Sequence, residues 1–267
     1  GMVIGGTLLE AFDSLGTAAM VAANYMAKTA TEMLVESVRM DLPDTKTVRL
    51  KWPEGYEVEF KTGQFITLFW PDRPDYKRAY SLSSCALERG FFDITVKREG
   101  RMGTRVADWA HPGDKLMVLP PTGKFLPEFE PDKHLICLAG GSGVTPFRAF
   151  AREATLRQLK TRITVLYSVR TPKDILFDEE FRQLEAESRR FQCHVTCTRA
   201  PDDGLWDGLR GRMDGEFVKS LVTDPDTTVF YACGPNTLVE TAEKIVLHEL
   251  HFPRAQFRAE KWGAMGE

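Results

Sequence analysis

The sequence predicts two domains, an antiparallel β-barrel followed by an α/β domain on a parallel sheet. Three observations carry this. Short runs of strand length, broken by Pro, Gly and Asp, fill residues 36 to 120. Beyond residue 128, apolar runs alternate with helical patterns, the signature of a parallel sheet covered on both faces. Between the two lie Pro120-Pro121 and the Pro127–Pro131 stretch. A chain of 267 residues accommodates two domains of ordinary size.

In chain order, residues 1–35 read as a helical extension. Gly1 ahead of Met2 reads as an expression scar and is set aside. Residues 7–35 are rich in Ala, Leu and Met but are interrupted by Asp13, Asn24 and Lys28. No apolar run there reaches the roughly twenty residues of a membrane span, and no signal peptide is expected. One or two helices packed on the body or on a second copy are expected, the other reading being a partner-docking or membrane-surface helix.

The barrel domain is assigned to residues 36–128. Its strands are expected at Thr47–Trp52, Tyr56–Phe60, Phe65–Trp70, Lys77–Ser83, Phe91–Lys97 and Lys115–Leu119, with a helix near Thr104–Trp109. Pro53-Glu54-Gly55 and Pro112-Gly113-Asp114 supply the turns.

The α/β domain is assigned to residues 129–267. Strands are expected at His134–Ala139, Ile163–Ser168, Cys193–Thr198, Thr228–Ala232 and Gln256–Glu260. The helices between and after them fall at Thr145–Leu159, Asp178–Glu187, Gly215–Leu221 and Asn236–Leu250.

Composition narrows the function. A formal charge of -3 and a pI near 6.0, with basic residues scattered, give no case for nucleic acid. Five cysteines without framework spacing fit a reducing cytosol, so a cytoplasmic location is expected and membrane contact is not. Cys193-His194-Val195-Thr196-Cys197 alternates like a buried strand, so no metal site is expected there. No cluster of four closely spaced cysteines is present for an iron–sulfur centre of the common kinds.

Four segments carry candidate chemistry. Gly140-Gly141-Ser142-Gly143-Val144-Thr145-Pro146 follows a strand and opens a helix, the context of a phosphate-binding turn. Read alone, it is also an ordinary tight connection. Tyr231-Ala232-Cys233-Gly234-Pro235 ends another strand of the same sheet, where ligands collect outside the carboxyl ends. Cys233 reads as a nucleophile, a small buried residue or a wall against a planar ring, with nothing nearby in sequence to activate it. In Arg78-Ala79-Tyr80-Ser81, alternation puts Arg78 and Tyr80 on one face, a cation for a phosphate and a ring for a ribityl chain or isoalloxazine. Arg78 is equally read as a solvated strand charge. Gly100-Arg101-Met102-Gly103-Thr104 is a second phosphate cradle or an ordinary loop.

The order of these motifs resembles the ferredoxin–NADP reductase family, from about residue 36 to 262. The resemblance implies a flavin-binding barrel and a nicotinamide-nucleotide domain. It implies that Arg78, Tyr80 and Ser81 hold the flavin, with Ser81 near its N5, Val96 and Lys97 along the ribityl chain, and Gly103 and Thr104 at the flavin phosphate. Gly140, Gly141, Gly143 and Thr145 would cradle the nicotinamide nucleotide, with Cys233 and Gly234 near its ring. Glu260-Lys261-Trp262 resembles the family's acidic-x-aromatic ending, an acid beside the hydride-transfer site and a ring on the flavin, although Gly263–Glu267 follow it here. Ser81, Cys233 and Glu260 are the implied catalytic residues. Arg170, Thr198 and Arg199 are candidates for a 2′-phosphate pocket.

FAD is expected over FMN because the family mostly uses it, with NADPH or NADH as donor. The implied activity passes a hydride from NAD(P)H to FAD and then single electrons to a separate carrier such as ferredoxin or flavodoxin. The alternatives are the reductase component of a multicomponent oxygenase, with an oxygenase component as acceptor, and a non-catalytic nucleotide-binding regulatory module.

Overall fold

In the first six-stranded sheet, period-two burial decides which side chains line the interior. The computed structural model describes residues 29–262. Its first sheet contains β1 (Thr31–Leu42), β2 (Thr45–Lys51), β3 (Phe65–Phe69), β4 (Arg78–Ser81), β5 (Phe91–Lys97) and β6 (Lys115–Val118), all antiparallel. The strand order is β4-β3-β6-β1-β2-β5, so β4 and β5 are the two edges. An antiparallel bridge between Leu82 and Ile94, with Ser83 N–H donating to the Asp93 carbonyl at 2.9 Å, joins those edges and closes the barrel. Met33, Val48, Leu50, Ile66, Leu68, Phe92, Ile94 and Leu116 fill it and are wholly buried.

The barrel differs from expectation in three places. β1 is not among the expected strands, and it begins at Thr31, so the assigned boundary at residue 36 cuts a paired strand: Thr31 faces Val118 and Leu34 faces Lys115. The remainder of the assigned extension, residues 1–28, lies outside the described residues. Tyr56–Phe60 forms no strand. A turn with Tyr56 N–H on the Pro53 carbonyl (3.0 Å) sends the chain inward, and Tyr56 and Phe60 pack edge-on against Trp52 and Phe92. The helix α1 (Gly100–Trp109) starts four residues before the expected Thr104.

The second sheet is parallel throughout. It contains β7 (His134–Gly140), β8 (Arg162–Val169), β9 (Phe191–Cys197), β10 (Leu209–Arg210), β11 (Thr228–Gly234) and β12 (Phe257–Lys261), in the order β10-β9-β8-β7-β11-β12. Every residue of β7 and β11 is buried, because helices cover both faces. On one face, α2 (Thr145–Leu156) and α3 (Asp178–Glu187) contribute Phe147, Phe150, Phe181 and Leu184. On the other, α4 (Gly215–Leu221) and α5 (Asn236–Glu243) contribute Val218, Val239 and Ala242. The helix expected to reach Leu250 becomes a π-helical turn over Lys244–Glu249. β10 is a two-residue strand held where the Trp206 indole N–H donates to the Leu209 carbonyl at 2.9 Å.

Chain order reverses between β7 and β11, so the crevice of this sheet lies at their carboxyl ends, Gly140 and Gly234. Among the described residues, no helix is long and apolar enough to cross a membrane.

His134, at the opposite end of β7, gives a testable consequence of burial. Its Nε2 lies 2.8 Å from Thr164 Oγ1, and its Nδ1 has no hydrogen-bond partner among the described residues. Burial, reinforced by Arg162, holds the imidazole down to about 4 against an ordinary 6.5. The unfolded chain therefore takes up this proton first as pH falls below 6.5. Stability should drop between pH 6.5 and about 4, by roughly 3 kcal/mol at most from this group, and should not change with it above pH 6.5. Urea unfolding at pH 7.5 and 5 checks this, with a smaller loss expected in His134→Asn.

Candidate functional site

The turn after β7 is built by close backbone approach. Gly141–Val144 forms a 3-10 turn that runs into α2, with Pro146 in the first turn of that helix and no acidic residue there. Thr145 Oγ1 donates to the Ser142 carbonyl at 2.6 Å and fixes the corner. Gly143 lies flush on the end of β11: a Cβ there would come within 2.5 Å of the Cys233 carbonyl carbon and 2.6 Å of Gly234 Cα. No side chain fits between the two strand ends.

Burial rises along β4 rather than alternating, with Arg78 and Ala79 both exposed. Tyr80 is half-buried against the barrel core, and Ser81 is buried. Burial raises the Tyr80 phenol, an effect Arg78 opposes. At the end of β5, Val96 is buried and Lys97 exposed. Gly103 in α1 packs where a Cβ would run into the Lys97 carbonyl oxygen, and the Tyr80 hydroxyl stands 3.9 Å from that same position. Thr104 follows, half-buried. The first turn of α1 holds no acidic residue, and its N-cap Glu99 makes no side-chain capping bond. The free N–H groups of that turn suit a phosphate, and so does the exposed Arg78 on β4.

The two halves meet at Ser81. Its hydroxyl donates to Glu260 Oε1 at 3.3 Å, across 179 residues of sequence. Glu260 stands opposite Cys233 in the β11–β12 register, and Trp262 N–H donates to the Gly234 carbonyl at 2.9 Å. Burial raises the Glu260 carboxyl, moderated by hydrogen bonds with Ser81 and the Trp262 side chain. Cys233 is wholly buried, and that burial, with Glu260 adding to it, pushes its thiol far up. Both effects disfavour a thiolate there, which weighs against a nucleophile and is compatible with a small buried residue or a wall against a planar ring. Trp262 is half-buried against the core on the α2 and α3 face. Residues 263–267 lie outside the described residues.

Arg170, Thr198 and Arg199 come together at the carboxyl ends of β8 and β9. Thr198 N–H donates to the Val169 carbonyl at 2.9 Å and Arg199 N–H to the Arg170 carbonyl at 2.7 Å, with all three side chains exposed. Among the described residues, neither these arginines nor Arg78 has an ion-pair partner. One residue that sequence reasoning missed is Arg148, a buried cation on α2. The available signal is an arginine on the apolar face of TPFRAFAREATL, between Phe147 and Phe150.

A barrel with a phosphate-suited rim, joined through Ser81 and Glu260 to a parallel sheet with a glycine turn at its switch point, defines a flavin and nicotinamide oxidoreductase architecture. Residues 33–126 match the oxidoreductase FAD-binding domain and residues 137–244 the oxidoreductase NAD-binding domain. The chain belongs to the ferredoxin–NADP reductase family. It is 26% identical to a ferredoxin NADP+ reductase from Neisseria gonorrhoeae, solved with bound FAD and NADP, at a TM-score of 0.72 over 87% of this chain and 98% of that one. The flavohem-like FAD/NAD binding domain of a nitric oxide dioxygenase from Vibrio cholerae shares the fold, at a TM-score of 0.76 and 24% identity, covering 87% of this chain and 98% of that one. A glycine betaine monooxygenase reductase subunit from Chromohalobacter salexigens is 32% identical over 213 residues, covering 77% of this chain and 56% of the relative. The chain thus spans about half the length of the curated relatives it matches.

Proposed function

We propose that this protein oxidises NAD(P)H with a bound FAD and delivers electrons to a separate protein acceptor. The observation that carries the reading is the Ser81–Glu260 contact at 3.3 Å. It joins the strand proposed to hold the flavin to β12, which pairs with the strand whose end the proposed nicotinamide turn rests on. Bound FAD supplies the conversion between a two-electron hydride donor and a one-electron acceptor. The protein's share is to orient and to exclude water. Arg78 and the Gly103–Thr104 turn hold phosphate, and Tyr80, Val96 and Lys97 line the flavin's length. Ser81 directs its hydroxyl at the reacting edge. Gly140, Gly141, Gly143 and Thr145 cradle the nucleotide, while Cys233 and Gly234 wall its ring and Trp262 covers the flavin. Glu260 stays close to Ser81 and holds a proton more readily than an exposed carboxylate.

The pairing of Arg170 with Arg199 at adjacent strand ends favours a 2′-phosphate, hence NADPH. The acceptor is a ferredoxin, a flavodoxin or an oxygenase component. The relative from Chromohalobacter, a monooxygenase reductase subunit, favours the last.

Steady-state assays with NADPH against NADH, and with each class of acceptor, test these choices. Reduction of an oxygenase component without reduction of ferredoxin or flavodoxin decides for the oxygenase reading. Arg78→Ala should lower flavin content of the purified protein by about tenfold, since it removes a charge-assisted phosphate contact. Unchanged flavin-to-protein absorbance ratio in that variant would contradict the assignment.

A further inference from the structure

Four charged side chains bridge the barrel and the α/β domain a short distance from Ser81. Arg148, 5% exposed, donates from Nε to Glu180 Oε2 at 2.6 Å and from Nη1 to the Ser83 carbonyl at 2.9 Å. One turn further along α2, Arg152 donates to Glu180 Oε1 at 2.7 Å and forms an ion pair with Glu88. Glu88 in turn accepts from the Cys85 N–H at 2.8 Å. The two arginines leave the same helix, and both reach the segment that continues β4 beyond Ser81. Glu180, from α3, braces them from behind. The guanidinium group of Arg148 also stacks on the Phe177 ring at 5.2 Å.

A paired cluster of this kind, partly buried around the buried Arg148, contributes more to geometry than to stability, because each charge loses hydration to enter it. Its location makes the geometry specific. Arg148 lies three residues after Thr145, which ends the glycine turn, and it grips the backbone two residues after Ser81. Arg148 therefore ties the helix that follows the turn directly to the backbone that follows the hydroxyl, and Arg152 ties it again through Glu88. A further tie between the domains lies at the linker, where the Tyr231 hydroxyl accepts from Glu128 N–H and donates to the Leu126 carbonyl.

We propose that Arg148 is a positioning residue: clamped by Glu180, its guanidinium holds the Ser83 carbonyl and fixes the distance between the Gly140–Thr145 turn and Ser81. This rests on the flavin and nicotinamide reading given above. Two rings that must meet face to face lose rate steeply when their supports shift, on the order of a hundredfold for 1 Å.

The test compares wild type, Arg148→Met, Arg148→Lys and Arg148→Met in a Ser81→Ala background. Flavin content, nucleotide affinity and the stopped-flow rate of flavin bleaching at saturating NAD(P)H are measured for each. Arg148→Met should keep its flavin and bind nucleotide within about threefold of wild type, yet bleach at least about tenfold more slowly. Arg148→Lys should recover only part of the rate, since an ammonium does not reproduce the two directed bonds. In the Ser81→Ala background the effect of Arg148→Met should shrink to under about threefold, because both changes act on one element. Amide deuterium exchange, read without nucleotide, should rise over residues 83–85 in Arg148→Met. Wild-type bleaching rates in Arg148→Met, or a full tenfold effect persisting without Ser81, would overturn the proposal. Should Arg148→Met fail to fold, Glu180→Gln serves instead: it removes the brace and keeps its shape. Slower bleaching with faster exchange at residues 83–85 then supports the proposal, and wild-type values of both overturn it. A wild-type protein that NAD(P)H does not bleach removes the cofactor reading itself, an outcome distinct from a failure confined to the variants.

Discussion

Gly143→Ala should abolish reduction of the protein by NAD(P)H while leaving the flavin bound. The added methyl meets backbone, the Cys233 carbonyl and Gly234 Cα, and no flexible side chain is there to yield. The turn must lift off the end of β11, which costs about 1–3 kcal/mol of stability as an overpacked contact. Lifting it also moves the start of α2 away from the crevice. The expected result is a flavin-to-protein ratio equal to wild type with flavin bleaching slowed at least about a hundredfold. Stopped-flow absorbance under saturating nucleotide reads both quantities in one sample. Rapid bleaching in this variant would show that the turn is not the nicotinamide seat.

Ser81→Ala has the second large effect, of a different kind. The residue is buried and its hydroxyl makes the sole side-chain hydrogen bond from β4 to β12 among the described residues. Removing it takes a hydrogen-bond donor from the proposed reacting edge, a loss typically worth about a hundredfold in rate for a donor acting on a developing charge. It also takes a donor from Glu260, whose buried carboxyl should then hold its proton to higher pH. Flavin retention should not change, because Arg78 and the α1 turn are untouched. A bleaching rate within about twofold of wild type would remove Ser81 from the mechanism. Together with Arg78→Ala, this separates holding the flavin from reacting with it.

The strands and helices were legible in the sequence where burial is periodic. Asp178–Glu187 and Gly215–Leu221 are helices at the expected residues, and five of the six barrel strands expected appear near their places. The exception, Tyr56–Phe60, has strand-like composition, but its aromatic rings serve the Trp52 and Phe92 cluster rather than a ladder. β10 is too short to leave a pattern and exists through its pairing with β9 and the Trp206 indole bond. β1 was not legible as a strand: Thr31–Val35 continues an apolar stretch that reads as helix from sequence alone, and Glu36–Leu42 falls in no expected element.

The candidate site was legible as separate pieces. Each glycine turn sits at a strand or helix end, where local sequence betrays it. Their convergence depends on closure of the barrel through Leu82 and Ile94 and on the order of the second sheet, which no local pattern encodes. Arg148 illustrates the same point: it is a charge among phenylalanines in sequence, and only the fold brings Ser83 and Glu180 to it.

The central claim is that one chain seats FAD and takes electrons from NAD(P)H. Anaerobic titration of the purified, FAD-loaded protein with NADPH and with NADH tests it most directly. The expected result is one FAD per chain, bleached by about one equivalent of at least one of the two nucleotides. A protein that takes up no FAD, or that holds FAD unbleached by excess of either nucleotide, would contradict it.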